Sequence, residues 1–155
     1  MEKKFSVVVG CDHAAVDMKN EVVATLKSEG YSVTDVGTHT CDSCDYPVIA
    51  HELCTKIQDG THKLGILICG TGIGMSMAAN KHRGIRAACC SEAYSAELTR
   101  RHNDANVLCF GARVIDTEKA LELCHVFLAT EYEGGRHQKR VDLIRATEEN
   151  EARRV

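Results

Sequence analysis

Short apolar runs alternate with amphipathic stretches along the chain of 155 residues. Segments rich in β-branched and other apolar residues predict five strands: Phe5–Gly10, Tyr31–Val36, Leu64–Cys69, Ile85–Cys90 and Asn106–Phe110. Apolar residues at helical spacing predict helices at Ala14–Glu29, Pro47–Asp59, Met75–His82, Glu92–His102 and Thr117–Thr130, and a polar helix at about Gly135–Arg154. Because each predicted strand is followed by a predicted helix, the pattern favours an α/β fold: a parallel sheet covered by helices on both faces.

Nothing in the pattern divides the chain. There is no internal repeat, low-complexity tract or shift in composition, so residues 1–155 are predicted to form one domain. Sheets of this kind bind ligands at the carboxyl ends of the strands, near the point where the strand order reverses. The residues that directly follow the strands are therefore the first candidates for a functional site.

Composition agrees with an ordinary globular protein, with 44% hydrophobic and 26% charged residues. The 19 basic and 22 acidic residues leave a net charge of −3, which gives no broad basic face for nucleic acid. No apolar run approaches the roughly 18 residues of a membrane span. The N-terminus lacks the apolar core of a signal peptide. We therefore expect a cytoplasmic protein without a membrane or nucleic-acid partner.

The nine cysteines are unusual in number. Without a secretory signal, reduced thiols are favoured over disulfides, and the eight cysteines other than Cys69 are predicted to be small buried hydrophobes. Cys41 and Cys44 form a C-x-x-C pair, but the pair lies in a predicted loop and has neither a second pair nor an H-x-x-x-H partner. A redox or zinc protein stays as an alternative to a protein without a metal.

A glycine-rich turn, Gly70–Gly74, joins the third strand to the next helix. Its glycines let backbone N–H groups face a phosphate or a developing oxyanion. The G-x-G-x-G spacing, with no following phosphate-loop lysine, disfavours a dinucleotide or nucleoside triphosphate. Cys69, directly before this turn, is the thiol best placed to act as a base or nucleophile, since a helix N-terminus stabilises a thiolate. The alternatives are a tight turn without a ligand and a buried cysteine at a strand end.

Polar residues elsewhere also carry candidate chemistry. Asp12 and His13 follow the first strand, although Asp12 also suits the N-cap of the next helix. His102 ends the fourth helix, as an acid–base group or as a partner of the helix dipole. Arg136 and Arg140 lie four residues apart on the last helix, where they can hold a phosphate or form a solvated face. These arginines are distant in sequence from the glycine turn. A shared site therefore requires either a chain that folds back or a second subunit.

The ordered set of motifs resembles the type B ribose-5-phosphate isomerase family, which includes galactose-6-phosphate and allose-6-phosphate isomerases. The motifs are Gly10-Cys11-Asp12-His13, Asp45-Tyr46-Pro47, Cys69 to Gly74 with Ala78 to Lys81, Gly84-Ile85-Arg86-Ala87, His102 to Asn106, Gly111-x-Arg113, and Gly134-Gly135-Arg136-His137-x-x-Arg140. They cover nearly the whole chain. The resemblance implies a Rossmann-like three-layer α/β/α sandwich around a five-stranded parallel sheet. It also implies a homodimer, with a tetramer as the alternative, in which active sites and the last helix lie at the subunit interface.

The resemblance further implies interconversion of ribose 5-phosphate and ribulose 5-phosphate through an enediolate, without a metal or cofactor, in the non-oxidative branch of the pentose phosphate pathway. By motif match, Cys69 is the base that moves the proton, His102 helps to open the sugar ring, and Thr71 stabilises the enediolate together with the backbone of Gly70, Gly72, Ile73 and Gly74. The implied substrate-binding residues are Asp12 and Asn103 for the sugar, Tyr46 for the pocket wall, and His13, Arg113, Arg136 and Arg140 for the phosphate.

Met75 stands where another branch of the family has a glutamate base, so the chain resembles the cysteine-base branch. Two other functions stay open at this point. One is isomerisation of a six-carbon sugar phosphate. The length of the substrate depends on the distance between the phosphate-binding residues and the base, and the sequence does not give this distance. The other is a sugar-phosphate binding module without turnover, which would need the turn and the arginines but no acid–base pair.

Overall fold

The computed structural model describes residues 4–154. The strands in this part of the chain are β1 (Ser6–Cys11), β2 (Ser32–Asp35), β3 (Leu64–Cys69), β4 (Ala87–Cys89) and β5 (Val107–Gly111). The helices are α1 (Val16–Ser28), α2 (Tyr46–Gln58), α3 (Ile73–Ala79), α4 (Ala93–Asn103), α5 (Thr117–Ala129) and α6 (Arg136–Ala152). Within residues 4–154, no helix is both long enough and apolar enough to cross a membrane.

All five strands pair in parallel, in the order β2-β1-β3-β5-β4. One face of the sheet packs against apolar residues of α1, α4 and α5, and the other against those of α2 and α3. This arrangement confirms the predicted α/β sandwich around a five-stranded parallel sheet. The chain leaves β1 towards β2 and then returns to the other side of β1 to form β3. The switch point of the sheet therefore lies between β1 and β3.

Two element boundaries differ from the prediction for identifiable reasons. Helix α3 begins at Ile73 rather than at Met75, because Gly72 ends the turn at φ +80° and its carbonyl accepts the first helical hydrogen bond from Ser76. Strand β4 (Ala87–Cys89) begins at Ala87 rather than at Ile85, because the N–H of Arg86 donates to the side chain of Asn106.

The predicted N-cap role of Asp12 is wrong. Helix α1 begins at Val16 with Ala15 as its N-cap, and no side chain caps it. The Oδ1 of Asp12 instead accepts the N–H of Ala14 at 3.0 Å, and its carbonyl accepts the N–H of Ala15. Asp12 thus closes the turn between β1 and α1, which orients its carboxylate at the end of the strand.

A buried ion pair ties α1 to the end of β2. Lys19 is fully buried, and its Nζ lies 2.8 Å from Oδ2 of Asp35, whose side chain is 21% exposed. The second carboxylate oxygen of Asp35 accepts the N–H of Gly37 at 2.9 Å. The pair therefore also fixes the start of the loop that leads to α2.

We expect Asp35→Asn to lower the free energy of unfolding by about 3–5 kcal/mol, because it leaves the Lys19 ammonium buried without a counter-charge. Lys19→Met should destabilise the protein less, since it removes the buried charge and leaves a carboxylate that water can reach. Urea unfolding of both variants measures the difference. A larger loss for Lys19→Met would contradict this account.

Candidate active site

Asp12 and Cys69 lie side by side at the switch point of the sheet. Asp12 follows β1 and donates its N–H to the carbonyl of Ile68 at 3.0 Å, while Cys69 is the last residue of β3. The Cys69 side chain is almost completely buried, and its Sγ accepts the N–H of Gly72 at 3.1 Å. A backbone donor aimed at sulfur stabilises negative charge there, so this thiol is equipped to work as a thiolate.

The glycine turn is pressed against the end of β5. A Cβ on Gly72 would come within 2.7 Å of the Phe110 backbone, and one on Gly111 within 2.5 Å of Thr71 Cα. Glycine is therefore required at both positions by packing, and at Gly72 also by its positive φ. Thr71 is exposed, and its Oγ1 accepts the N–H of Ile73 at 3.3 Å. The turn thus presents the Thr71 hydroxyl to solvent beside the buried Cys69 sulfur.

Tyr46 and Arg113 flank this turn. A Cβ on Gly74 would lie 2.7 Å from Tyr46 Cζ, and one on Gly70 would lie 3.3 Å from Arg113 Nη1. The tyrosine ring and the guanidinium therefore cover the two ends of the turn. The fold brings these two residues to the thiol from distant parts of the sequence.

His13 is held by the loop before α2. The N–H of Cys44 donates to its Nδ1 at 3.2 Å. With Nδ1 as the acceptor, the hydrogen of the neutral ring is assigned to Nε2. His13 can therefore offer Nε2–H to an anion. Asp12, His13, Tyr46, Arg113 and the segment Cys69–Gly74 are called the carboxyl-edge group below.

Desolvation favours the neutral thiol at six other cysteines. Burial raises the pKa of Cys11 to about 12, of Cys54 to about 12 and of Cys90 to about 11, and it raises the pKa of Cys109 and Cys124 as well. The pKa of Cys89 is raised by partial desolvation and by the nearby Cys69, although part of its surface is exposed. All nine cysteines are free. Cys41 and Cys89 are exposed and Cys44 is half-buried, so the prediction of burial fails for these.

These differences predict a pattern of alkylation. In the native protein at neutral pH, iodoacetamide is expected to leave Cys54, Cys109 and Cys124 unmodified while it modifies Cys41, because only an accessible thiolate reacts. Peptide mass spectrometry measures the modification, and the same treatment in denaturant should modify all of the cysteines. Equal native rates for Cys109 and Cys41 would refute the assignment.

A second group forms between α4 and α6. His102, Asn103, Arg136 and Arg140 line a cavity of about 340 Å³ together with His137, Val141 and Ile144. The rings of His102 and His137 stack, with centroids 4.1 Å apart and planes 13° apart. Both arginines face this cavity from one side of α6, as their spacing predicted. These residues are called the α4–α6 group below.

His137 and Glu133 belong to this group although no role had been predicted for them. His137 is buried, and its Nε2 makes no hydrogen bond and lies 3.5 Å from Oε2 of Glu133. Burial, and after it the positive charge of nearby His102 and Arg136, lowers the pKa of His137 below its ordinary value. In the sequence, the available signal for His137 was its position between Arg136 and Arg140 in the same motif.

His102, Glu133 and His137 are also the described residues closest to a metal-ligand set, with ligand atoms within 4.8 Å of one another. A histidine nitrogen binds a metal in the plane of its ring. Because the two rings are nearly parallel and stacked, one ion cannot lie in both planes. The arrangement therefore does not fit a metal ion, and the absence of a metal or cofactor stays a prediction.

The carboxyl-edge group lies where the strands end, and the α4–α6 group lies where the strands begin. Helix α4 runs back from the carboxyl edge and ends beside the start of β5, where Asn103 contacts Arg86. The five residues of β5 span about 16 Å at ~3.3 Å per residue. This length separates the end of α4 from the end of β3, where Cys69 lies. The groups also lie on opposite faces, since Cys69 packs on the side of α2 and α3 while α4 packs on the other. Among residues 4–154, no hydrogen bond or ion pair links the two groups. The chain therefore does not fold back to unite them.

Comparison with known proteins gives consistent matches over the whole fold. Residues 7–144 match the protein family described as Ribose/Galactose Isomerase. The chain is 49% identical over 143 residues to ribose-5-phosphate isomerase B of Escherichia coli K12, covering 92% of this chain and 96% of that protein. It is 45% identical over 141 residues to D-erythrulose-4-phosphate isomerase of Pectobacterium atrosepticum, covering 90% and 93%. A ribose-5-phosphate isomerase B structure from Mycoplasma genitalium with bound ribulose 5-phosphate superposes with a TM-score of 0.90, at 36% identity, covering 96% and 99%.

Proposed function

The chain belongs to the ribose/galactose isomerase family, and from that membership and its site we propose that it interconverts ribose 5-phosphate and ribulose 5-phosphate. It is an aldose–ketose isomerase of sugar phosphates. The observation that carries the proposal is the Cys69 thiol, which accepts the Gly72 N–H and lies beside Asp12 at the switch point of the sheet. Binding alone would not need a buried sulfur with a donor aimed at it.

The proton transfer is assigned to Cys69. Its thiolate removes the proton from C2 of the open-chain aldose, which leaves an enediolate with negative charge on O1. The thiol then returns a proton to C1, while O1 gains and O2 loses a proton, and ribulose 5-phosphate results. The Thr71 hydroxyl and the backbone N–H groups of the turn are the donors that stabilise the oxygen charge. Cys69 cycles between thiolate and thiol without a covalent bond to the sugar.

Ring opening is assigned to His102. Ribose 5-phosphate is a furanose, so the C1–O4 bond must break before C2 can be deprotonated. As the C1 carbonyl forms, the O1 proton leaves and O4 takes a proton. A histidine can serve both transfers near neutral pH. The Asn103 side chain, adjacent to His102 in the cavity, is assigned to the sugar hydroxyls.

A complete site requires two copies of the chain. Cys69 and His102 act on adjacent atoms of one sugar, yet within a chain they lie at opposite edges and on opposite faces of the sheet. We therefore propose a homodimer in which the carboxyl-edge group of one protomer meets the α4–α6 group of its partner. The phosphate ligands then come from both chains, His13 and Arg113 from one and Arg136 and Arg140 from the other.

Exposed apolar side chains beside each group support this assembly. Ile73 and Met77 on α3 are 51% and 64% exposed, and Leu143 and Ile144 on α6 are 59% and 50% exposed. Ile73 adjoins the turn and Ile144 lines the cavity. Complete burial of such a side chain from full exposure contributes about 1.5–3 kcal/mol, so these half-exposed side chains would each gain about half of that against a second copy. We therefore assign α6 to the proposed interface.

We also place the protein in the cytoplasm and assign it no metal or cofactor. A base that works as a thiolate must stay reduced, and the cytosol keeps thiols reduced. Proton transfer through an enediolate requires a base, an acid and charge stabilisation, all of which the two groups can supply.

Proton NMR of wild-type turnover in D₂O with EDTA tests the function. We expect ribose 5-phosphate to be converted rapidly, with solvent deuterium entering C1 of the ribulose 5-phosphate formed. Allose 6-phosphate, galactose 6-phosphate and erythrulose 4-phosphate are the comparison substrates. Turnover of one of these faster than that of ribose 5-phosphate would identify it as the substrate instead. No turnover of any of the four would favour a sugar-phosphate binding module without catalysis.

A further inference from the structure

We propose that Arg86 is a positioning residue for ring opening, which holds the end of α4 and thereby sets the place of His102 and Asn103. The proposal rests on the proposed function and assigns Arg86 no contact with the sugar. Arg86 directly precedes β4, at the amino edge of the sheet. Its guanidinium reaches across to the two residues that follow His102.

The contacts of Arg86 form a clamp on the α4 terminus. Its Nε donates to the carbonyl of Asn103 at 2.9 Å. Its Nη2 donates to the carbonyl of Asp104 at 2.9 Å and to Asp104 Oδ2 at 3.2 Å. The last carbonyls of a helix have no partners within the helix, so these bonds supply partners where α4 ends. Two successive backbone carbonyls are thereby fixed relative to the sheet.

The clamped backbone has a conformation that depends on its surroundings. Asp104 has φ +47°, a left-handed conformation that is uncommon for a residue other than glycine. Its carboxylate is shared by Arg86 and by Arg100, whose Nη1 donates to Oδ1 at 3.0 Å. Arg100 ties α4 to α5 through the carbonyl of Thr130, whereas Arg86 ties it to the sheet. Without Arg86, the side-chain hydrogen bonds that tie the backbone of Asn103 and Asp104 to the sheet are lost, which leaves Arg100 and the chain's continuation into β5 to hold this turn.

Arg86 is itself held rigidly. Its N–H donates to Asn106 Oδ1 at 2.8 Å, and Asn106 Nδ2 donates to the carbonyl of Gly84 at 2.8 Å. Its side chain is only 13% exposed, so water competes weakly for its hydrogen bonds. The planar fork of a guanidinium can serve two carbonyls and a carboxylate at once, which the ammonium of lysine does not reproduce.

This placement predicts an effect on one step of the reaction. His102 sits one residue before the clamped carbonyls, and an error of ~1 Å in a catalytic group costs up to about 10²-fold in rate. Cys69 is at the other edge of the sheet and belongs, in the assembled site, to the partner chain. Loss of the clamp should therefore slow ring opening and closure more than proton transfer at C1 and C2.

The two steps can be measured separately with ribulose 5-phosphate. This ketose cannot form a furanose, because its O5 carries the phosphate. In D₂O, Cys69 exchanges the C1 hydrogen through the enediolate without any ring step, whereas efficient release of ribose 5-phosphate includes ring closure. For Arg86→Lys we expect conversion of ribulose 5-phosphate to fall by about 10–10²-fold at saturation, and C1 exchange to fall much less. The ratio of exchange to conversion therefore rises.

Two control variants give the expected upper and lower limits of this ratio. His102→Gln should raise the same ratio further, and Arg83→Gln, at an exposed arginine on the same segment, should leave it unchanged. A parallel fall of exchange and conversion, or no change in either, overturns the positioning role. Should Arg86→Lys fail to fold, Arg86→Gln carries the test, since its neutral amide leaves no unpaired buried charge and Arg100 still pairs with Asp104. If the wild type neither exchanges nor converts ribulose 5-phosphate, the proposed function fails rather than the role of Arg86.

Discussion

Cys69→Ala is expected to lower kcat for ribose 5-phosphate by about 10²–10⁴-fold or more, because a positioned base contributes this much to a proton transfer. The substitution removes the sulfur that accepts the Gly72 N–H. The neighbouring thiol of Cys89 is a poor replacement, because it donates to the carbonyl of Thr71 and desolvation raises its pKa. Coupled-assay initial rates with EDTA measure the loss. Binding should persist, since the phosphate and hydroxyl ligands are untouched, so KM should change far less than kcat.

Cys124→Ala is the matched control, because this thiol lies buried in α5 on the other face of the sheet. It should keep kcat near the wild-type value even where it lowers the melting temperature. Cys69→Ser keeps a hydroxyl at the position but should be nearly as slow as Cys69→Ala, because an alcohol is a much weaker acid than a thiol. Near-full turnover by Cys69→Ser, or a sugar–cysteine adduct trapped on the reaction path, would contradict the assignment of Cys69 as a base that only transfers protons.

Mixing two inactive variants is expected to restore about a quarter of wild-type activity in a homodimer with sites shared between chains. Cys69→Ala and His102→Ala each disable both sites of their own homodimers. In the mixed dimer, one site combines the intact Cys69 of one chain with the intact His102 of the other, and the second site has neither. Half of a random mixture is mixed dimer, and half of its sites are intact.

The experiment requires dissociation and reassembly of the two variants, followed by the same initial-rate assay. Cys69→Ala mixed with Cys69→Ser provides the control, and it should stay inactive because no pairing restores the thiol. Failure of the first mixture to recover, with mixed dimers shown to be present by mass spectrometry, would mean that each site is built within one chain. That result would contradict the proposed assembly.

Local pattern predicted most elements because each signal acts over a few residues. The run Leu64–Cys69 lies fully buried in the centre of the sheet, and such a strand must be apolar on both faces. The start of α3 was misplaced because glycine disfavours a helix interior, while the contact of Gly72 with Phe110 is invisible in sequence. Likewise, the short β4 depends on Asn106, which lies 20 residues beyond Arg86.

The sequence identified the candidate residues one by one from their chemical type and position. It did not show which of them lie together in the fold. The residues of the carboxyl-edge group follow different strands or begin a helix, and the parallel sheet brings them to one edge. Nothing in the sequence showed that His137 stacks on His102, or that Arg86 holds the residues after His102. Such contacts join distant segments, and hydrophobic periodicity carries no information about them.

The sequence by itself determined the class of the fold, the positions of its strands and the identity of the residues that carry chemistry, since these follow from local pattern and residue type. Only the tertiary structure decided that β5 lies between β3 and β4, and hence, because crossovers between parallel strands are right-handed, that α4 packs on the face opposite to α3 and Cys69. The physical reason is that strand order is set by packing among all elements at once. This order separates His102 from Cys69 and makes a second chain necessary for the proposed site.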